Sequence, residues 1–106
     1  MRSLLLVLTN CTPGKEEEFN TWYQEVHLKE VLEVPGFVGA SRYELTDTQM
    51  SEDERPYRFL AIYEVEGDVD TAFEKLKATS GSMDMSPTLI DSFTSHYAPI
   101  GERREA

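Results

Sequence analysis

The spacing of apolar residues switches between two periods along this chain, and each switch marks an element. Ser3 to Thr9 is a short, nearly continuous apolar run, the pattern of a central strand buried on both faces. Phe19, Trp22, Tyr23 and Val26 then recur at helical spacing. Thr12 is placed to cap that helix, Pro13 to open it, and Pro35-Gly36 to end it. Glu16, Glu17 and Glu18 favour the positive end of its dipole.

From Phe37 to Leu45 the period becomes two. Strict alternation puts Phe37, Gly39, Ser41, Tyr43 and Leu45 on one face and Val38, Ala40, Arg42 and Glu44 on the other. Thr46 to Pro56 is an acidic loop. Tyr57 to Val65 alternates again, with Tyr57, Phe59, Ala61, Tyr63 and Val65 opposite Leu60 and Ile62. Gly67-Asp68 opens a second helix in which Val69, Ala72, Phe73 and Leu76 form the stripe. Thr79 to Pro87 is a Ser, Gly and Pro-punctuated loop, and Ile90 to Ala98 is the last strand.

The order is β-α-β-β-α-β, the ferredoxin-like split βαβ, an α+β fold with two helices on one face of a four-stranded antiparallel sheet. Nothing divides the chain, so residues 1–106 read as one domain with a flexible tail at 101–106. Strands two and three are apolar on both sides, and a bare sheet face of that kind seldom stays in water. The expected partner is a second copy, giving a homodimer with its sheets packed together.

The first helix contains a contradiction. On a straight wheel Leu28, Val31 and Leu32 lie opposite the Phe19 stripe, while Glu30 falls within it. A straight helix would bury a carboxylate and expose three aliphatics. The pattern predicts a kink or restart just after His27.

Twenty acidic residues against ten basic ones give a formal net charge of −10. That argues against nucleic acid, whose phosphates need a basic face, and against anionic membranes. Arg2 followed by Leu4 to Leu8 imitates a signal peptide, but the run is too short and Thr9-Asn10 follows. With one cysteine, Cys11, no internal disulfide forms, which fits a cytoplasmic protein.

His27 is the first candidate for chemistry. It lies ~80° around the helix from Phe19, at the edge of the buried stripe and one turn beyond Tyr23. An imidazole half-buried beside a phenol suits general acid–base work near neutrality; the alternative is a histidine bonded to a backbone carbonyl. Tyr23 could orient His27 or bond a substrate carbonyl. Trp22 and Tyr63 could wall a cleft or simply fill the core. Asn10, ending the first strand, is a polar anchor or a turn former, and His96 could approach His27 or sit at an exposed edge. Gly39, Ser41 and Ala61, flanked by Phe37, Tyr43, Phe59 and Tyr63, would leave room for a flat apolar ligand if that face meets the helices. No metal-ligand spacing occurs, and Cys11 has no basic neighbour to activate it.

With this order, F-x-x-W-Y-x-x-x-H (Phe19, Trp22, Tyr23, His27), P-G-F (Pro35 to Phe37), Arg42-Tyr43 and the closing Tyr97-Ala98-Pro99-Ile100 make the chain resemble the dimeric α/β-barrel superfamily. Within it the likeness is greatest to the EthD-like family, and it spans roughly residues 3 to 99. The resemblance implies a dimer of ferredoxin-like subunits, each with a ligand cleft between helices and sheet. The superfamily includes polyketide cyclases, cofactor-free monooxygenases, decarboxylases, lactone isomerases and haem-degrading enzymes. The second helix lacks the His or Cys that would point to the haem-degrading branch.

The leading expectation is a cofactor-independent homodimeric enzyme that carries out acid–base chemistry (isomerisation, cyclisation, dehydration or decarboxylation) or oxygenation on a small hydrophobic, aromatic or polyketide-like compound. His27 would move a proton, Tyr23 would assist, and Asn10, Trp22, Tyr63 and His96 would contact substrate, with the Thr79 to Pro87 loop partly covering the cleft. A non-catalytic ligand-binding protein and a purely structural homodimer are the alternatives.

Overall fold

A computed structural model describes residues 2–106. Strand β1 spans Ser3–Cys11, helix α1 Glu16–Trp22, a π turn Tyr23–His27 and helix α2 Leu28–Leu32. Strands β2 (Phe37–Glu44) and β3 (Phe59–Val65) follow, then helix α3 (Val69–Ser80) and strand β4 (Leu89–Tyr97). The strands form one antiparallel sheet in the order β2-β3-β1-β4, the ferredoxin-like arrangement expected from the element order.

The break in the first helix takes the form of the π turn. The Leu28 N–H donates to the Tyr23 carbonyl, five residues back rather than four. At about 100° per residue, one extra residue returns Val31 to the Phe19 side and swings Leu28 with it. Both are buried, and Leu32 is left at the margin. Thus α1, the π turn and α2 form one continuous helix whose apolar stripe is repaired midway.

Thr12 does not cap this helix. Its hydroxyl bonds the Thr88 carbonyl, Thr12 and Lys15 close a turn through Gly14 at φ +85°, and Lys15 occupies the capping position. Thr12 therefore ties the end of β1 to the start of β4.

Strict alternation along β2 also fails, at a bulge. Phe37 pairs with Val65 but Gly39 pairs with Glu64, so Val38 is the extra residue and every later side chain changes face. Ala40, Arg42 and Glu44 join Phe37 beside Val65, Tyr63, Ala61 and Phe59 under the helices. Gly39, Ser41 and Tyr43 turn to the other face, so the expected recess of Gly39, Ser41 and Ala61 between aromatic walls does not form.

The core lies between the helices and this sheet face: Phe19, Tyr23, Leu28 and Val31 from above; Leu5, Phe37, Phe59, Ala61, Tyr63 and Val65 from below. Helix α3 meets the chain at Ala72, over Gly36; a Cβ at Gly36 would lie 2.7 Å from that of Ala72. The opposite face presents Leu4, Leu6, Leu8, Leu60, Ile62, Tyr43, Phe93 and Tyr97 without cover from this chain. Phe93 and Tyr97 are 55% and 56% exposed, high for large apolar side chains.

Candidate functional site

The π turn gathers the aromatic and titratable residues of the first helix. The imidazole of His27 stacks on the indole of Trp22, with ring centroids 4.8 Å apart and planes 21° from parallel. It stands edge-on to Tyr23 at 4.9 Å and 90°. Its Nδ1 is buried and has no hydrogen-bond partner. Burial lowers its pKa below the ordinary 6.5; Glu30 pulls upward and Arg42 adds to the lowering. At neutral pH the ring is uncharged, one nitrogen a donor and the other an acceptor.

Below the imidazole, Tyr23 is 1% and Tyr63 2% exposed, and the Tyr63 hydroxyl donates to that of Tyr23 over 3.2 Å. Burial raises both phenol pKa values, so both stay protonated. Tyr63 is a floor of the site, packed edge-on against Phe37, more than a side wall.

Above it, Trp22 Nε1 donates to the Asp84 carbonyl at 2.6 Å, and the Asp84 N–H bonds the Glu30 carboxylate at 3.1 Å. The loop after α3 thus lies across the helix, pinned on both sides of one peptide position. Beyond Glu30 a groove of 390 Å³ runs between α2 and α3, with Val34, Lys75, Ala78 and Met83 in its lining.

Arg42 is the residue that sequence alternation misses. The bulge at Val38 turns it beneath the helices, where its guanidinium carbon lies 4.3 Å from the Tyr23 ring centroid, 5.6 Å from Phe19 and 5.8 Å from Phe59. Its Nη2 donates to Asn20 Oδ1 at 2.8 Å, while its Nε is buried without a partner. Alternation counted from a core Phe37 points Arg42 to the opposite face, so no signal in the sequence reports its inward position.

Two expected site residues lie elsewhere. Asn10 donates to the Pro56 carbonyl at 2.7 Å and accepts from the Arg58 N–H at 3.0 Å, so it fastens the end of the acidic loop. It shares the uncovered sheet face with Leu8, away from His27. His96 is exposed and packs edge-on against Phe73 of α3 at 5.3 Å, on the strand position paired with Leu5. The structure therefore gathers His27, Tyr23, Trp22 and Tyr63, adds Arg42, and leaves Asn10 and His96 outside. Among the described residues, no three of His, Cys, Asp and Glu gather as a metal site would require.

No protein-family model and no curated sequence matches the chain. Solved structures do. The heme-degrader MhuD of Mycobacterium tuberculosis, solved with two hemes bound in its active site, is 14% identical over 95% of this chain and 98% of its own, with a TM-score of 0.65. A dimeric ferredoxin-like protein of unknown function from Jannaschia sp. CCS1 is 9% identical over 93% and 100%, with a TM-score of 0.61. An EthD family protein of Bacillus halodurans C-125 is 11% identical over 94% and 100%, with a TM-score of 0.57. At such identities the likeness establishes a shared fold, the ferredoxin-like one that the residue pattern implies.

Proposed function

We propose that this chain is a cofactor-independent, homodimeric enzyme of the EthD-like type, acting by proton transfer on a small hydrophobic aromatic or polyketide-like compound. The observation that carries this reading is His27 Nδ1, a buried ring nitrogen with no partner, held between Trp22 and Tyr23. Buried polar atoms are nearly always satisfied, and an exception calls for a reason, of which a catalytic role is one. A π turn at the same residues fits, since such irregularities also favour functional sites.

A neutral imidazole of lowered pKa is a base at pH 7. It takes a proton from carbon next to a substrate carbonyl, becomes imidazolium, and returns the proton to another atom. That sequence is an isomerisation without net redox change. Dehydration and decarboxylation share its enolate intermediate. The protonated Tyr23–Tyr63 pair offers a hydrogen-bond donor to a substrate oxygen.

The uncovered apolar sheet face supports the homodimer, and a fold neighbour described as dimeric agrees with it. The near-complete burial of Tyr23 and Tyr63 within the chain's own core supports a second reading, a structural homodimer whose interior is filled.

The test is turnover of a panel of aromatic ketones and polyketide-like compounds by wild type and His27→Ala, at unchanged fold and assembly. Activity lost in the variant supports the proposal, and full turnover by it removes it. Tight binding by both wild type and His27→Gln, with no product from either, selects a non-catalytic binding protein.

A further inference from the structure

We infer that Arg42 is an anion-holding residue, which seats a negatively charged oxygen of the ligand (a carboxylate, phenolate or enolate) beside Tyr23. The inference rests on the proposal that this chain takes a small ligand and adds that ligand's chemical class; the hollow it uses opens on Arg42, and His27 is not in its lining.

Charge pairing gives the first reason. Arg2 pairs with Glu64 and Glu66, Arg58 with Glu16 and Glu44, and Arg103 with Glu105. Arg42 is more buried than any of these, yet among the described residues no carboxylate comes within salt-bridge distance of it. In a chain with twenty acidic residues, a half-buried guanidinium packed among three aromatic rings with no ion-pair partner calls for a reason.

The nitrogens give the second. Asn20, a neutral amide, takes one Nη2 proton, and Nε has no partner at all. Phe19, Tyr23 and Phe59 engage the guanidinium through ring electrons, which fixes its place. They supply no acceptor for an N–H in the guanidinium plane. A planar anion does, and guanidinium recognises such groups through paired N–H donors.

Position gives the third. Of the three buried side-chain polar atoms without partners among the described residues, two belong to His27 and Arg42, and both residues pack on Tyr23. Neither the neutral imidazole nor the protonated phenols offset the guanidinium charge. A hollow of 220 Å³ reaches Arg42 from the β2 side, lined by Asn20, Gln24, Tyr43 and Glu44. Glu44 in that lining is already bound to Arg58. A ligand carrying an anionic oxygen in this hollow would neutralise the guanidinium charge, and a small turn of the side chain would bring the free Nε to the same oxygen.

Benzoate and benzamide, alike in shape and different in charge, test this at constant ionic strength. Trp22, the single tryptophan, reports binding by fluorescence. Wild type is expected to bind benzoate at least tenfold more tightly than benzamide, Arg42→Met to lose that preference, and His27→Gln to keep it. Equal binding of the two probes by wild type, binding of neither, or an unchanged preference in Arg42→Met overturns the inference. Should Arg42→Met fail to fold, the Arg42 Nε–H resonance of the wild-type protein decides. It is expected to shift with benzoate and not with benzamide, and an unmoved signal at saturation overturns the inference equally. Because none of these readings needs turnover, they stand apart from a failure of His27 as a base.

Discussion

Trp22 and His27 are five residues apart and stack face to face. In an unbroken α-helix, residues five apart do not share a face. The π turn brings them onto adjacent turns, so the same backbone irregularity that repairs the apolar stripe also builds the aromatic box around the imidazole.

Trp22→Phe keeps a ring against His27 and removes the N–H that holds the Asp84 carbonyl. The expected cost is about 0.5–1.5 kcal/mol, and the loop after α3 should open more often. Hydrogen exchange at the Asp84 amide, which is bonded to Glu30, checks this; protection equal to wild type would show that Trp22 does not restrain the loop.

Stability should depend on pH through His27. Its folded pKa lies below the unfolded value of 6.5, so the unfolded chain takes up the proton first as pH falls. The contribution is whole above about 6.5 and is lost progressively as pH drops through the folded pKa. Between pH 7.5 and 5, the melting temperature of wild type should therefore fall further than that of His27→Gln. Parallel melting curves would contradict the lowered pKa.

Tyr63→Phe removes the donor to the Tyr23 hydroxyl between two side chains that are both buried. The single change should destabilise by about 1–3 kcal/mol, because the remaining hydroxyl is left unpaired. Adding Tyr23→Phe should cost less than it does alone. Denaturant unfolding of the four proteins in the cycle measures the coupling, and strict additivity would show that the two hydroxyls are independent.

Ile62→Lys places a charge in the middle of the uncovered sheet face, on the strand residue paired with Leu6. If two copies bury that face together, sedimentation should show wild type at twice the 12.1 kDa chain mass and the variant at the chain mass, both with native circular dichroism. A wild-type protein that sediments as a single chain would remove the homodimer.

Most of the fold is legible in the residue pattern. Strand and helix periods place all four strands and both helical segments, and the misplaced Leu28 and Val31 announce the break at His27. What the pattern hides is the bulge. Val38 is as apolar as its neighbours, so nothing in the alternation marks it as surplus, and one unmarked residue reverses the face of Arg42 and Tyr43. Asn10 and His96 stand apart from His27 for different reasons that no local pattern reports: pairing turns Asn10 to the uncovered face, while His96 shares Leu5's face but lies on the edge strand β4 against Phe73 of α3.

The extra residue in β2 links two traits that would otherwise vary separately. Excising Val38 would swing the guanidinium out to the bare side and drop the phenol ring of Tyr43 into its place. A descendant that lost the insertion would have to move its arginine by one position to keep an inward cation. Bulge and inward-facing charge are therefore heritable as one unit, and a comparison of relatives should find them present or missing together.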